Sequence, residues 1–224
     1  MPSARTAELD PGRSVVEQLR ERVAAMERRP SAEPVPTLPG LADVLPMHSG
    51  ATYAVDSASL ALALAAGASQ EGAWVGFAGC PDFGAEAAAG LGIELSRTVL
   101  VPDLGEHWVE VTAALVDVLR VVVLRPPATV SERTAAVLDS RLRNRAAVLV
   151  VHGRWPRVEA RLSTVDSAWA GPGAGPGQLE ERRAGVLVHR GSRPPRRVDL
   201  SWPHVDRVER LDPVALRDVR RAIG

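Results

Sequence analysis

The chain of 224 residues contains no lysine. Its fixed cations are all arginines, so no ammonium group is present to grip a triphosphate tail. A single cysteine, Cys80, rules out an internal disulfide and suits a reducing compartment. Aromatic residues make up only 4% of the chain. Long apolar runs are also missing. The nearest approach, residues 57–67, falls short of the roughly 18 residues that a membrane span needs. The first residues lack the apolar core of a secretory signal, and a cytoplasmic location is expected.

Apolar residues account for 46%, enough for one sizeable domain with appendages. The net charge is zero but uneven. Residues 31–119 hold eleven acids and one base, Arg97, whereas residues 120–224 hold twenty arginines and eleven acids. Such asymmetry points the second half toward nucleic acid or an acidic partner. The plainer alternative is arginine in place of every lysine on solvated surfaces.

Four regions follow from periodicity. Residues 14–29 predict an amphipathic helix, with Val15, Val16, Leu19, Val23 and Met26 on one face, a capping box at Ser14 and Glu17, and Pro30 as its stop. That stripe needs cover from its own core, a second subunit or a partner. Residues 31–40, with Pro34, Pro36 and Pro39, read as a linker. Residues 41–202 form the core. Strands are expected at 51–55, 73–78, 97–101, 121–124 and 147–151, alternating with helices. This alternation predicts an α/β fold with a central, mostly parallel sheet flanked by helices. The segments 157–169, 185–190 and 197–202 predict antiparallel strands added on the C-terminal side, interrupted by a Gly/Pro stretch at 171–177. Residues 203–224 read as a tail ending in a short helix, capped by Asp212 with Pro213 behind it. Leu216, Val219 and Ile223 form its apolar stripe.

One stretch has the spacing of a phosphate-binding loop without its chemistry. Gly79-Cys-Pro-Asp-Phe-Gly84-Ala85-Glu86 follows a strand pattern and precedes an alanine-rich helix, as G-x-x-x-x-G-K-[ST] does. Ala85 stands at the lysine position and Glu86 at the hydroxyl position. A carboxylate there repels phosphate by several kcal/mol at an effective dielectric of about 20. The apolar strand 121–124 ends in Arg125, where a magnesium-binding aspartate is needed. Three parts of a nucleotide site are therefore absent together, and no catalytic residue, cofactor or metal ligand is expected. Cys80 lies just before a helix start, but Asp82 and Glu86 oppose a lowered thiol pKa.

The order of these parts resembles the RecA-like core over about 160 residues. Within that group the chain is most similar to the actinobacterial ImuA-prime proteins, accessory members of an inducible mutagenesis cassette. The supporting residues are the helix and strand from Ala58 to Trp74, the lysine-less loop, Thr98–Pro102 before Trp108, Val148–Val151 with Trp155-Pro156, and Ser167-Ala-Trp169 leading to Leu179–Arg183. The resemblance implies a DNA-damage role beside ImuB, a Y-family polymerase-like protein, and an error-prone C-family polymerase. It implies association with the nucleoid on damage. It carries no catalytic residue onto this chain. In RecA-like proteins, mobile loops in this part of the core face DNA, so Arg182, Arg183, Arg190, Arg193, Arg196 and Arg197 are candidate phosphate contacts. The helices bearing Val15, Leu19 and Val23, and Leu216, Val219 and Ile223, are candidate partner contacts by burial in a groove. The rival reading is a cell-division inhibitor similar to SulA, which also resembles a RecA-like core without a working loop.

Overall fold

The computed structural model describes residues 32–170, 181–203 and 209–210. The predicted helix at 14–29, the Gly/Pro stretch and the predicted helix at 212–223 lie outside the described residues. The core contains a nine-stranded sheet. β3 (Thr52–Val55), β4 (Val75–Ala78), β5 (Thr98–Val101), β6 (Val121–Leu124), β7 (Val148–His152) and β8 (Ala160–Ala170) are parallel. β9 (Glu181–His189), β10 (Arg196–Pro203) and β11 (Glu209–Arg210) then add antiparallel to β8. The spatial order is β11-β10-β9-β8-β3-β7-β6-β4-β5. A separate two-stranded ladder joins β1 (Pro34–Val35) to β2 (Met47–His48). The α/β class, the parallel centre and the antiparallel C-terminal addition are those expected from the sequence.

β6 and the first four residues of β7 are buried throughout, which is why they read as unbroken apolar runs rather than alternating ones. Both faces of the sheet are covered. On one face lies α2 (Ala58–Gln70), capped by Ser57, whose Oγ accepts from the Leu60 amide at 3.4 Å. On the other lie α4 (Trp108–Val118) and α5 (Glu132–Arg145). The short α3 (Ala85–Gly90) follows β4.

α2 is buried on all sides from Leu60 to Ser69. The sheet covers one side, and the outer cover comes from residues 32–48. This overturns the linker reading of residues 31–40. Val35 and Leu38 are buried in the same apolar cluster as α2, and α1 (Pro39–Ala42) forms there with Leu41 buried. The prolines that suggested a free linker instead fix an extended strap, which is compatible with packing because it needs few backbone donors. The approach is close. A methyl group on Gly67 would stand 2.5 Å from the Thr37 backbone.

The tail boundary at residue 203 also needs correction. β11 pairs with β10 through Leu200↔Arg210 and Ser201↔Glu209, and it lies against α1. A two-residue strand is below what periodicity can register. β8 carries a bulge between Thr164 and Asp166 that leaves Val165 half exposed.

Arg141 and Arg145, in the last turns of α5, clamp it to α4. Both guanidinium groups donate to Asp117, Arg145 at 3.1 Å. The hydrogen bonds from Arg141, and then from Arg145, push the Asp117 carboxyl down to about 2 from its usual 3.8. A depressed carboxylate pKa stabilises the fold above the unfolded value and loses that contribution as pH falls through the folded one.

Two measurements check this packing. Gly67→Ala gains helix propensity of about 1 kcal/mol, but it must push the strap off α2 at a cost of about 1–3 kcal/mol. Chemical denaturation should therefore show a net loss. Between pH 3.8 and about 2 the native chain should lose stability more steeply than Asp117→Asn, as read by thermal melts across that range.

Candidate functional site

Loop 79–84 runs from the end of β4 to the start of α3, the strand–loop–helix order that the spacing predicted. Gly79 adopts φ +72°, and a side chain there would meet the Arg125 carbonyl at 2.3 Å. Its amide donates to the Val101 carbonyl at 2.9 Å, while the Arg125 amide donates to the Ala78 carbonyl at 2.9 Å. Gly79 is thus required by close backbone approach from the β6 end. Gly84 is the N-cap of α3 and offers no side-chain cap. Ala85 and Glu86 open the helix, and both are exposed. The helix has six residues. Gly90 and Gly92 weaken its continuation.

The two sequence-separated parts of the suspected nucleotide site do come together. Arg125 Nη1 donates to both oxygens of Asp82, at 3.1 and 3.2 Å. The loop is held from below by Phe83, whose ring lies 4.6 Å from that of Phe77. Burial, and then Asp82, push the Cys80 thiol up, with Arg125 opposing them. A raised thiol pKa disfavours the thiolate that a nucleophile requires.

A second strand–turn–helix unit lies nearer the centre of the sheet. β3 leads into α2 through Asp56 and Ser57 alone. Two residues cannot wrap a phosphate as a six-residue loop does. Asp56 accepts from the Thr164 amide at 2.8 Å and from its hydroxyl at 3.3 Å, tying β8 to the end of β3. Sequence pattern carries no signal for this contact across 108 positions.

The six candidate arginines divide. Arg182 donates to the hydroxyls of Ser59 and Ser167 and lies 5.6 Å over the Trp202 ring. Arg190 pairs with Glu159 at 3.0 Å. Arg197 pairs with Asp166 at 2.7 Å and Asp199 at 3.1 Å. Arg183 is also engaged. Arg193 and Arg196 flank Pro194-Pro195 in the β9–β10 connection and are exposed. The structure therefore joins four of the six to the fold and leaves the exposed pair at the hairpin tip. The apolar stripes at Val15, Leu19 and Val23, and at Leu216, Val219 and Ile223, lie outside the described residues.

A family model described as the MT3502 N-terminal domain matches residues 40–157. The chain belongs to this family. The matched span runs from within α1 to just past β7, so it contains β2 to β7, α2 to α5 and the loop pair carrying Asp82 and Arg125. The chain is also similar to the uncharacterized protein Rv3395c of Mycobacterium tuberculosis. The two are 33% identical over 168 residues, which cover 69% of this chain and 78% of the relative. β8–β11 and the arginine-bearing hairpin lie beyond the span matched by the MT3502-type domain.

The Asp82–Arg125 pair is exposed on both sides, at 69% and 46%, so it should be worth under about 1 kcal/mol. A double-mutant cycle on Asp82→Ala and Arg125→Ala, read by denaturation, should give a coupling in that range. A larger value would mark the pair as a structural lock on the loop.

Proposed function

We propose that this chain is a non-catalytic adaptor in inducible translesion DNA synthesis, of the ImuA-prime kind. It binds a Y-family polymerase-like partner such as ImuB, with an error-prone C-family polymerase in the same assembly. One observation carries the non-catalytic part. At the carboxyl ends of β4 and β6, an ATPase of this design needs a lysine and a magnesium-holding aspartate. This chain puts an arginine–aspartate pair there, with Ala85 and Glu86 at the helix start. The guanidinium is occupied by a carboxylate of its own chain, and Glu86 repels a phosphate approaching that helix.

The order of motifs supports the cassette assignment, and a mycobacterial relative agrees with an actinobacterial family. The apolar stripes at residues 15–26 and 216–223 supply helix-in-groove contacts to the polymerase-like partner. DNA contact is secondary and falls to Arg193 and Arg196, the exposed arginines of the hairpin tip. The adaptor acts in the cytoplasm and joins the nucleoid after damage. No described helix is long and apolar enough to cross a membrane.

Two experiments test the reading. Calorimetry with magnesium and ATP should show no binding, and micromolar affinity lost on Gly84→Asp would overturn the adaptor claim. A pulldown from DNA-damaged cells should recover a polymerase-like protein. Recovery of a tubulin-like division protein instead would favour the SulA-like inhibitor.

A further inference from the structure

Among the described residues six large apolar side chains are exposed, and two of them share one place. Trp74 is 49% exposed and Val118 74% exposed. Both line a shallow groove of about 410 Å³ at the amino-terminal ends of β4 and β6, the opposite end of the sheet from Asp82 and Arg125. Pro36 of the strap and Ala73 complete its apolar wall, with Glu71 and Arg120 at the rim. An exposed tryptophan beside an open aliphatic surface has the composition of a binding hot spot.

Charge selects what fits. The Arg120 guanidinium is already engaged, donating to the Ala146 carbonyl at 2.7 Å and to Glu33 at 3.2 Å. Arg97, close by, donates to the Gly72 carbonyl at 2.8 Å. Glu71 differs. Its carboxylate has no hydrogen-bond or ion-pair partner among the described residues, and Glu71 is the C-cap of the 13-residue α2. The helix carbonyls add partial negative charge at that end. The groove thus offers an indole face, an aliphatic wall and an open anion side by side. A long cationic side chain satisfies all three, with its methylene stem on the indole and its head at the carboxylate. An acidic segment would meet repulsion, and a purely apolar one would bury Glu71 without a partner.

We propose that this groove docks a basic segment of another protein, with one arginine or lysine stem laid across Trp74 and Val118 and its head group at Glu71. The site is separate from the loop at the other end of the sheet. It does not depend on the translesion assignment, because it specifies the chemistry of the bound segment and not the identity of its owner.

The test uses the full chain and two short helical peptides of alanine and leucine, one carrying arginines and the other glutamates in their place. Binding to native protein and both variants is measured by calorimetry, and NMR at the Trp74 indole N–H of the native chain locates it. The arginine peptide should shift that resonance, and the glutamate peptide should not. Glu71→Gln should weaken binding by about two- to fivefold, the size of an exposed cation–carboxylate contact. Trp74→Ala should abolish it. Glu71 is exposed, so Glu71→Gln should melt at the native temperature, whereas Trp74 is half covered and Trp74→Ala is compared well below its own melting temperature. Equal binding of the arginine peptide to native protein and both variants would mean general attraction to the acidic half, and would overturn the proposal. So would the absence of any shift. Concentration-dependent dimerisation lost on Trp74→Ala would assign the groove to a second copy of this chain and overturn it as well.

Discussion

Keeping α2 dry on every side is the constraint on which the rest of this fold depends. Ten successive residues of that helix are buried, and most are alanine or leucine. A helix without a polar face has no stable place on the outside of a sheet. It needs a third layer, and residues 32–48 supply it. Small side chains let that layer come close, as the contact between Gly67 and the Thr37 backbone shows. The strap in turn meets β11 through α1, so the start of the described chain and its last strand are packed together.

The opposite face is organised differently. α4 and α5 are joined by a carboxylate shared between two guanidinium groups. The same preference for arginine governs the antiparallel strands, where Arg182, Arg190 and Arg197 reach across neighbouring strands or to α2. A lysine-free chain thus uses forked, multidentate donors as internal ties. Arginine density in such a sequence is a poor guide to nucleic-acid contact, because most of these side chains are consumed by the fold.

The loop after β4 keeps the backbone requirements of a phosphate loop and none of its charge. Gly79 is held by steric necessity, since the Arg125 carbonyl leaves no room for a side chain. The positions that would face a ligand hold an internal ion pair and an exposed acid. Backbone geometry and ligand chemistry are separable here.

The sequence alone determined the α/β class, the parallel centre and the antiparallel addition, because hydrophobic periodicity and run length are local properties. It also determined what the loop lacks, since missing charge is legible in composition. Only the tertiary structure decided that a proline-rich stretch is a packed strap, that Arg125 meets Asp82, and that four of six clustered arginines are tied down. It also brought Trp74, Val118 and Glu71 to one groove. Each of these depends on contacts between residues far apart in the chain. Periodicity holds no record of such contacts, because they are set by how the layers stack.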